Sequence, residues 1–161
     1  MVALFSALSV VLLVGIDQLI KYFVVLNLKP VGSVMFIKGF LQFSYVENTG
    51  AMMGLMEGKT TIMIIAALIV LSVLFILILT NKIKFGFEFC CFVMIAAGGI
   101  GNIIDRIFRG FVVDYIEVLF IDFYVFNFAD CLVTVGAFLI LFYEIYGIYK
   151  DAKLKKVEKN G

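Results

Sequence analysis

Two aspartates in this chain are placed to do chemistry together. Asp114 follows the apolar run FVV, and Asp130 closes the segment FNFAD sixteen residues later. Two carboxyls at one depth in a low-dielectric setting cannot both ionise easily, so one keeps its proton while the other can take a proton from water. Aspartic proteases activate water in this way. Proton channels and transporters also place acids near a membrane, so both readings stand for the pair taken alone.

Other polar positions recur at helical spacing. Asp17 and Lys21 are four apart and share one helix face, either as an internal ion pair or as the wall of a polar site. Asn102, Asp105 and Arg106 stand at i, i+3 and i+4, giving one face an amide, an acid and a guanidinium. For Asp105 and Arg106 the alternatives are a mutual or cross-helix ion pair that holds the bundle and a direct part in a site. Asn127 and Asp130 are three apart; in a first helical turn Asp130 also suits a capping or helix-dipole role. Asp122, in an exposed loop, and Glu144, toward the far end of the last apolar run, are weaker candidates.

Several chemistries are excluded or disfavoured. The chain has no histidine, which removes Ser-His-Asp triads, Cys-His pairs, HExxH zinc sites and histidine proton relays. Cys90 and Cys91 are adjacent and Cys131 stands alone, which is neither CxxC metal spacing nor a disulfide framework. A serine activated by Lys21 is a further alternative, but Ser6 and Ser9 lie far up the same helix, and Ser33 and Ser44 have no paired motif. A net charge of +1 gives no basis for a nucleic-acid partner.

The elements that must position these groups are membrane helices. Of 161 residues 64% are hydrophobic, well above the soluble-domain norm. Four runs, about residues 3–26, 60–80, 87–104 and 126–149, reach the roughly 20 residues needed to cross a bilayer. The first carries Asp17 and Lys21 and lacks a basic start and a small-residue cleavage motif, so it reads as a permanent helix and not a signal peptide. Lys82 and Lys84, and the tail lysines 150, 153, 155, 156 and 159, place the second connection, the tail 150–161 and both termini in the cytoplasm. Residues 27–59 and 105–125 then lie outside. Within them, residues 36–46 read as a small strand pair at the interface, and residues 111–124 as a short interfacial helix or loop. The glycines of GGIG (Gly98, Gly99 and Gly101) read as small residues that let helices approach closely. No linker or repeat divides the chain, so 1–161 is expected to be a single integral membrane domain.

Taken in order, DQLIKYFV, ENTGAMMGL, GGIGNIIDRIFRGFVVDYI and FNFADCLVTVG resemble the lipoprotein signal peptidases, or signal peptidase II. The resemblance runs through nearly the whole chain. It implies an all-α membrane protein of four transmembrane helices with a small outer β-cradle and a short outer interfacial helix. It also implies an aspartic endopeptidase of the bacterial inner membrane, active at the outer face. Such an enzyme removes the signal peptide of a prolipoprotein, cutting before the cysteine that carries a diacylglyceryl group. The family's catalytic pair falls on Asp114 and Asp130, and its substrate-binding and supporting positions on Asp17, Lys21, Asn48, Gly50, Asn102, Asp105, Arg106 and Asn127. No metal or organic cofactor is implied. The partners expected are the lipidated prolipoprotein and membrane lipid, with the enzyme a monomer. One departure is Met53, where the family commonly has an aromatic. Against a transporter, the acids gather at one surface and form no ladder across the bilayer; against a mere scaffold, the polar motifs are too many.

Overall fold

In the computed structural model, which describes residues 2–50, 59–80 and 86–160, the four apolar runs are helices and the segments between them supply a sheet. α1 spans Val2–Asn27, α2 Thr60–Leu79, α3 Phe87–Phe108 and α4 Phe128–Asn160; β1 is Ser33–Ile37, β2 Leu41–Asn48 and β3 Val112–Val118. Each helix contains a stretch long and apolar enough to cross a membrane. Lys82, Lys84 and Met53 lie outside the described residues.

Polarity runs inward. Leu12, Leu19 and Phe23 on α1 and Phe138, Leu141 and Phe142 on α4 are exposed, whereas Asp17, Lys21, Asp105, Asp114 and Asn127 are at most 1% exposed. An apolar shell around a polar interior suits lipid, where ionisable groups must face partners within the bundle.

α3 is the central helix and packs on α1, α2 and α4. Its glycines set those distances unequally. A Cβ at Gly98 would run into the Ala129 carbonyl oxygen of α4, and one at Gly101 would stand 2.6 Å from Asp17 Oδ2 of α1. Gly99 faces Leu71 at 3.5 Å, where a methyl fits. Two of the three glycines in GGIG therefore permit close approach, and the third does not need to.

The sheet is antiparallel in the order β1-β2-β3. β1 and β2 form a hairpin closed at Gly39, whose φ of +72° is the left-handed region that glycine enters without strain. β2 then pairs with β3 so that Val46 lies opposite Asp114 and Asn48 opposite Val112, after a register shift between Phe43 and Val46. Paired residues share a face, so Asn48 is the diagonal neighbour of Asp114. The strand pair expected within residues 36–46 is thus present and gains a third strand. The short interfacial helix or loop expected for 111–124 is instead β3 followed by turns, and the short outer helix is not found among the described residues. The physical reason is pairing: Val112–Val118 joins β2 as an antiparallel strand, whose alternation sends Val113 and Tyr115 to one face and Asp114 to the other, with both faces buried there. α4 also runs on through the lysine-rich segment to Asn160.

Gly98→Ala is expected to lower stability by about 1–3 kcal/mol through overpacking, while Gly99→Ala changes it by less than about 0.5 kcal/mol. Unfolding of both variants in detergent micelles checks this, and equal effects would show that the glycines act by backbone flexibility instead.

Candidate active site

The N-terminus of α4 is where the site is built. A helix begins with N–H groups that lack intrahelical partners, and here side chains meet them. Phe128 N donates to Tyr115 Oη (3.2 Å), Ala129 N to Asp17 Oδ1 (3.1 Å) and Asp130 N to Asn127 Oδ1 (3.0 Å). Asn127 is the cap, and Asp130 Oδ2 in turn accepts from Asn127 N at 3.1 Å, a reciprocal capping box. The capping contact is therefore present, and it leaves Asp130 Oδ1 for another partner.

Lys21 of α1 lies at the centre, with no exposed surface. Its ammonium reaches Asp17 Oδ2 at 2.9 Å, Asp105 Oδ2 at 3.0 Å and Asn102 Oδ1 at 2.9 Å. An ammonium has three hydrogens, so every donor is used. Asp105 also accepts from Val113 N (3.1 Å) and Arg109 Nε (3.2 Å), which ties the end of α3 to the backbone beside Asp114.

Amide orientation then passes outward. Asn102 Oδ1 takes bonds from Lys21 and from Asn127 Nδ2 (3.2 Å), so its Nδ2 is turned to Asp130 Oδ1 at 2.8 Å. Asn127 Oδ1 is held by Asp130 N, so its Nδ2 reaches Asp114 Oδ1 at 2.6 Å. Asn48 Nδ2 completes the set at 2.7 Å from Asp114 Oδ2. The two aspartates are thus joined through Asn127 and Asn102, one from a strand and one from a helix start. Burial, and next the Asp130 charge, push the Asp114 carboxyl up to about 7, against the amides of Asn48 and Asn127. Near neutral pH it is poised between its two forms.

The residues assigned to the catalytic pair and its support lie in this network, and of the ion pairs open to Asp105 the cross-helix one, with Lys21, is present while the mutual one with Arg106 is not. Adjacent helical residues point about 100° apart, and the partner on the Asp105 face is Arg109, four residues on. Arg106 donates instead to the carbonyls of Asn102 (3.4 Å) and Gly50 (3.2 Å). Arg109 was open to prediction from its i, i+4 spacing; Gln18, which bonds Asp17 Oδ2 and Gly101 O at 3.1 Å each, and the Tyr115 hydroxyl were not. Asp122 and Glu144 are exposed and outside the network. Among the described residues no group of three or more His, Cys, Asp or Glu is placed to hold a metal ion. Beside the site an open apolar groove of about 500 Å³ runs between α1 and the sheet, lined by Ile20, Phe23, Leu28, Val34, Phe43 and Tyr115 among others.

Known proteins are similar to this chain in sequence and fold. Residues 9–146 match the sequence profile described as Signal peptidase (SPase) II. The chain is 39% identical to the lipoprotein signal peptidase of Enterococcus faecalis, over 93% of this chain and 91% of the relative. It is 38% identical to that of Clostridioides difficile, over 86% and 93%. A bacterial membrane enzyme solved by the in meso method superposes with a TM-score of 0.78 at 33% identity, covering 92% of this chain and 89% of the other.

Lys21→Met leaves two buried carboxylates without their shared cation and is expected to cost about 3–5 kcal/mol. Adding Asp17→Asn should restore part of this, since the amide oxygen can still cap Ala129. Unfolding in micelles measures both; a double variant no more stable than the single would mean that charge pairing is not what Lys21 contributes.

Proposed function

This chain belongs to the signal peptidase II family, and we propose that it is a membrane aspartic endopeptidase that removes signal peptides from diacylglyceryl-modified prolipoproteins. Membership makes it a peptidase family member and a multi-pass bacterial membrane protein. The finer reading rests on one observation above all: two buried aspartates linked through Asn127 and Asn102, where burial pushes the Asp114 carboxyl up to about 7. The apolar groove beside Tyr115 supports a substrate that carries hydrocarbon next to the bond to be cut.

In this mechanism Asp130 is the base. It sits at the positive end of α4 and accepts the Asn127 N–H, both of which favour a carboxylate. Asp114 is the acid. Asp130 takes a proton from water as the water oxygen bonds to the scissile carbonyl carbon, and Asp114 gives its proton to the carbonyl oxygen. A gem-diol results. Asp130 then protonates the leaving nitrogen, Asp114 recovers a proton from a gem-diol hydroxyl, and the C–N bond breaks to release the signal peptide as an acid and the lipidated cysteine as a free amine. Asp17, Lys21, Asn102, Asp105 and Asn127 hold the two acids, and Asn48, Gly50 and Arg106 meet the substrate side. The site faces outward and both termini lie in the cytoplasm, which the lysines of the tail support.

Asp114→Asn and Asp130→Asn are each expected to fold and to lose activity on the order of 10³-fold or more, read as cleavage of a synthetic diacylglyceryl prolipopeptide by mass spectrometry. Wild-type activity should fall as pH rises through about 7, where Asp114 gives up the proton it must donate. Substantial cleavage by either folded Asn variant removes that residue from the mechanism. For topology, Cys90, Cys91 and Cys131 are first replaced. A cysteine placed at Glu57 should then react with an impermeant thiol reagent from outside the cell and one at Lys84 should not; the reverse pattern inverts the orientation.

A further inference from the structure

Three asparagines touch the acid pair, and one differs in where it stands. Asn102 and Asn127 belong to α3 and to the cap of α4, inside the bundle, whereas Asn48 is the last residue of β2. Gly50 N donates to Asn48 Oδ1 at 3.0 Å, which leaves Nδ2 to face Asp114 Oδ2 at 2.7 Å. With Asn127 Nδ2 on Oδ1, both oxygens of Asp114 meet donors, and among the described residues neither meets an acceptor for an acid hydrogen. That setting suits a carboxylate. The reaction needs the acid.

The turn that fixes Asn48 is held at a second point, because Arg106 Nη2 donates to Gly50 O at 3.2 Å. Arg106 Nε is buried and has no hydrogen-bond partner among the described residues. A buried donor left unmet costs free energy until an acceptor arrives, and a backbone carbonyl of an extended peptide is such an acceptor. A guanidinium that swings toward it lets go of Gly50, and with Gly50 goes the N–H that orients Asn48.

We propose that Asn48 is a releasable positioning residue: in the empty site its amide favours ionised Asp114, and substrate bound at Arg106 withdraws it so that Asp114 Oδ2 takes up the proton later given to the scissile carbonyl. The proposal rests on the peptidase reading above. The proton comes from solvent water and is recovered when the gem-diol collapses. Other charged groups near Asp114 are Asp130 from α4, Lys21 from α1, and Arg106 and Asp105 from α3. Glu47 of β2 is engaged by Lys29 and Tyr45 at 2.8 Å each. Of the groups that pull the Asp114 carboxyl downward, Asn48 has the largest effect, so its withdrawal moves the carboxyl further toward the protonated form.

Carboxyl 13C NMR of aspartate-labelled protein in micelles, with the Asp114 signal assigned by Asp114→Asn, reads this without turnover. In the empty protein Asn48→Ala is expected to raise the Asp114 midpoint by about one to two pH units; Asn48→Ser replaces it if the alanine variant does not fold. A non-cleavable lipopeptide analogue should raise the wild-type midpoint likewise and add nothing in Asn48→Ala. In turnover, Asn48→Ala should move the alkaline limb of kcat/KM upward and leave that of kcat in place, a split that a merely structural role would not produce. A midpoint unmoved by the substitution, or unmoved or lowered by bound analogue, overturns the proposal. Analogue binding is followed separately by fluorescence. Failure to bind at all overturns the peptidase reading and the substrate-driven release with it, while the empty-protein comparison still decides whether Asn48 governs the Asp114 proton.

Discussion

The ammonium of Lys21 is the contact on which the other polar contacts of the site depend. It is buried without exposure and spends one hydrogen on α1, through Asp17, and two on α3, through Asp105 and Asn102. Each of those three partners carries a further bond to a different element. Asp17 caps α4, Asp105 holds the backbone of β3, and Asn102 turns its amide to Asp130. A charge that is expensive to bury is thereby made the common origin from which four elements are placed.

Geometry at the acid pair follows from direction as much as from distance. An amide has an acceptor end and a donor end, and in each asparagine here the acceptor end is already taken: by Lys21 at Asn102, by Asp130 N at Asn127, by Gly50 N at Asn48. The donor ends are left for the two aspartates. The β2 register shift matters for the same reason, since it brings Asn48 onto the Asp114 face of the sheet. Backbone groups and one lysine thus determine which way the amides point, and the amides determine where a proton can reside.

How much of this was legible in the sequence depended on the range of the interaction. Asp17 with Lys21 was readable because helical periodicity alone puts i and i+4 together. The four helices were readable from length and hydropathy. Of the two ion pairs open to Asp105 and Arg106, the mutual one fails because adjacent residues diverge around the helix, whereas the cross-helix one is present as Asp105 with Lys21; Arg109, at the right spacing, is the intrahelical partner. β3 reads as a helix or loop in the sequence because a short mixed segment carries too few residues for its period to be distinguished. The acid pair was placed on one side of the membrane by topology, but the amides that join Asp114 and Asp130 depend on how α3, α4 and β3 pack, which no local spacing encodes. GGIG gave the principle of close approach and not which glycine used it.

The ion pairs also bear on how the chain enters lipid during synthesis. Asp17 and Lys21 lie one turn apart on α1, and Asp105 and Arg109 lie one turn apart at the end of α3. Each helix therefore brings counter-ions within its own sequence and need not wait for another segment before leaving the aqueous channel that delivers it. Only afterwards, when α1 and α3 meet, does Lys21 take Asp105 as a second partner. Assembly adds to pairs that each helix already holds, since Lys21 keeps Asp17 and Asp105 keeps Arg109.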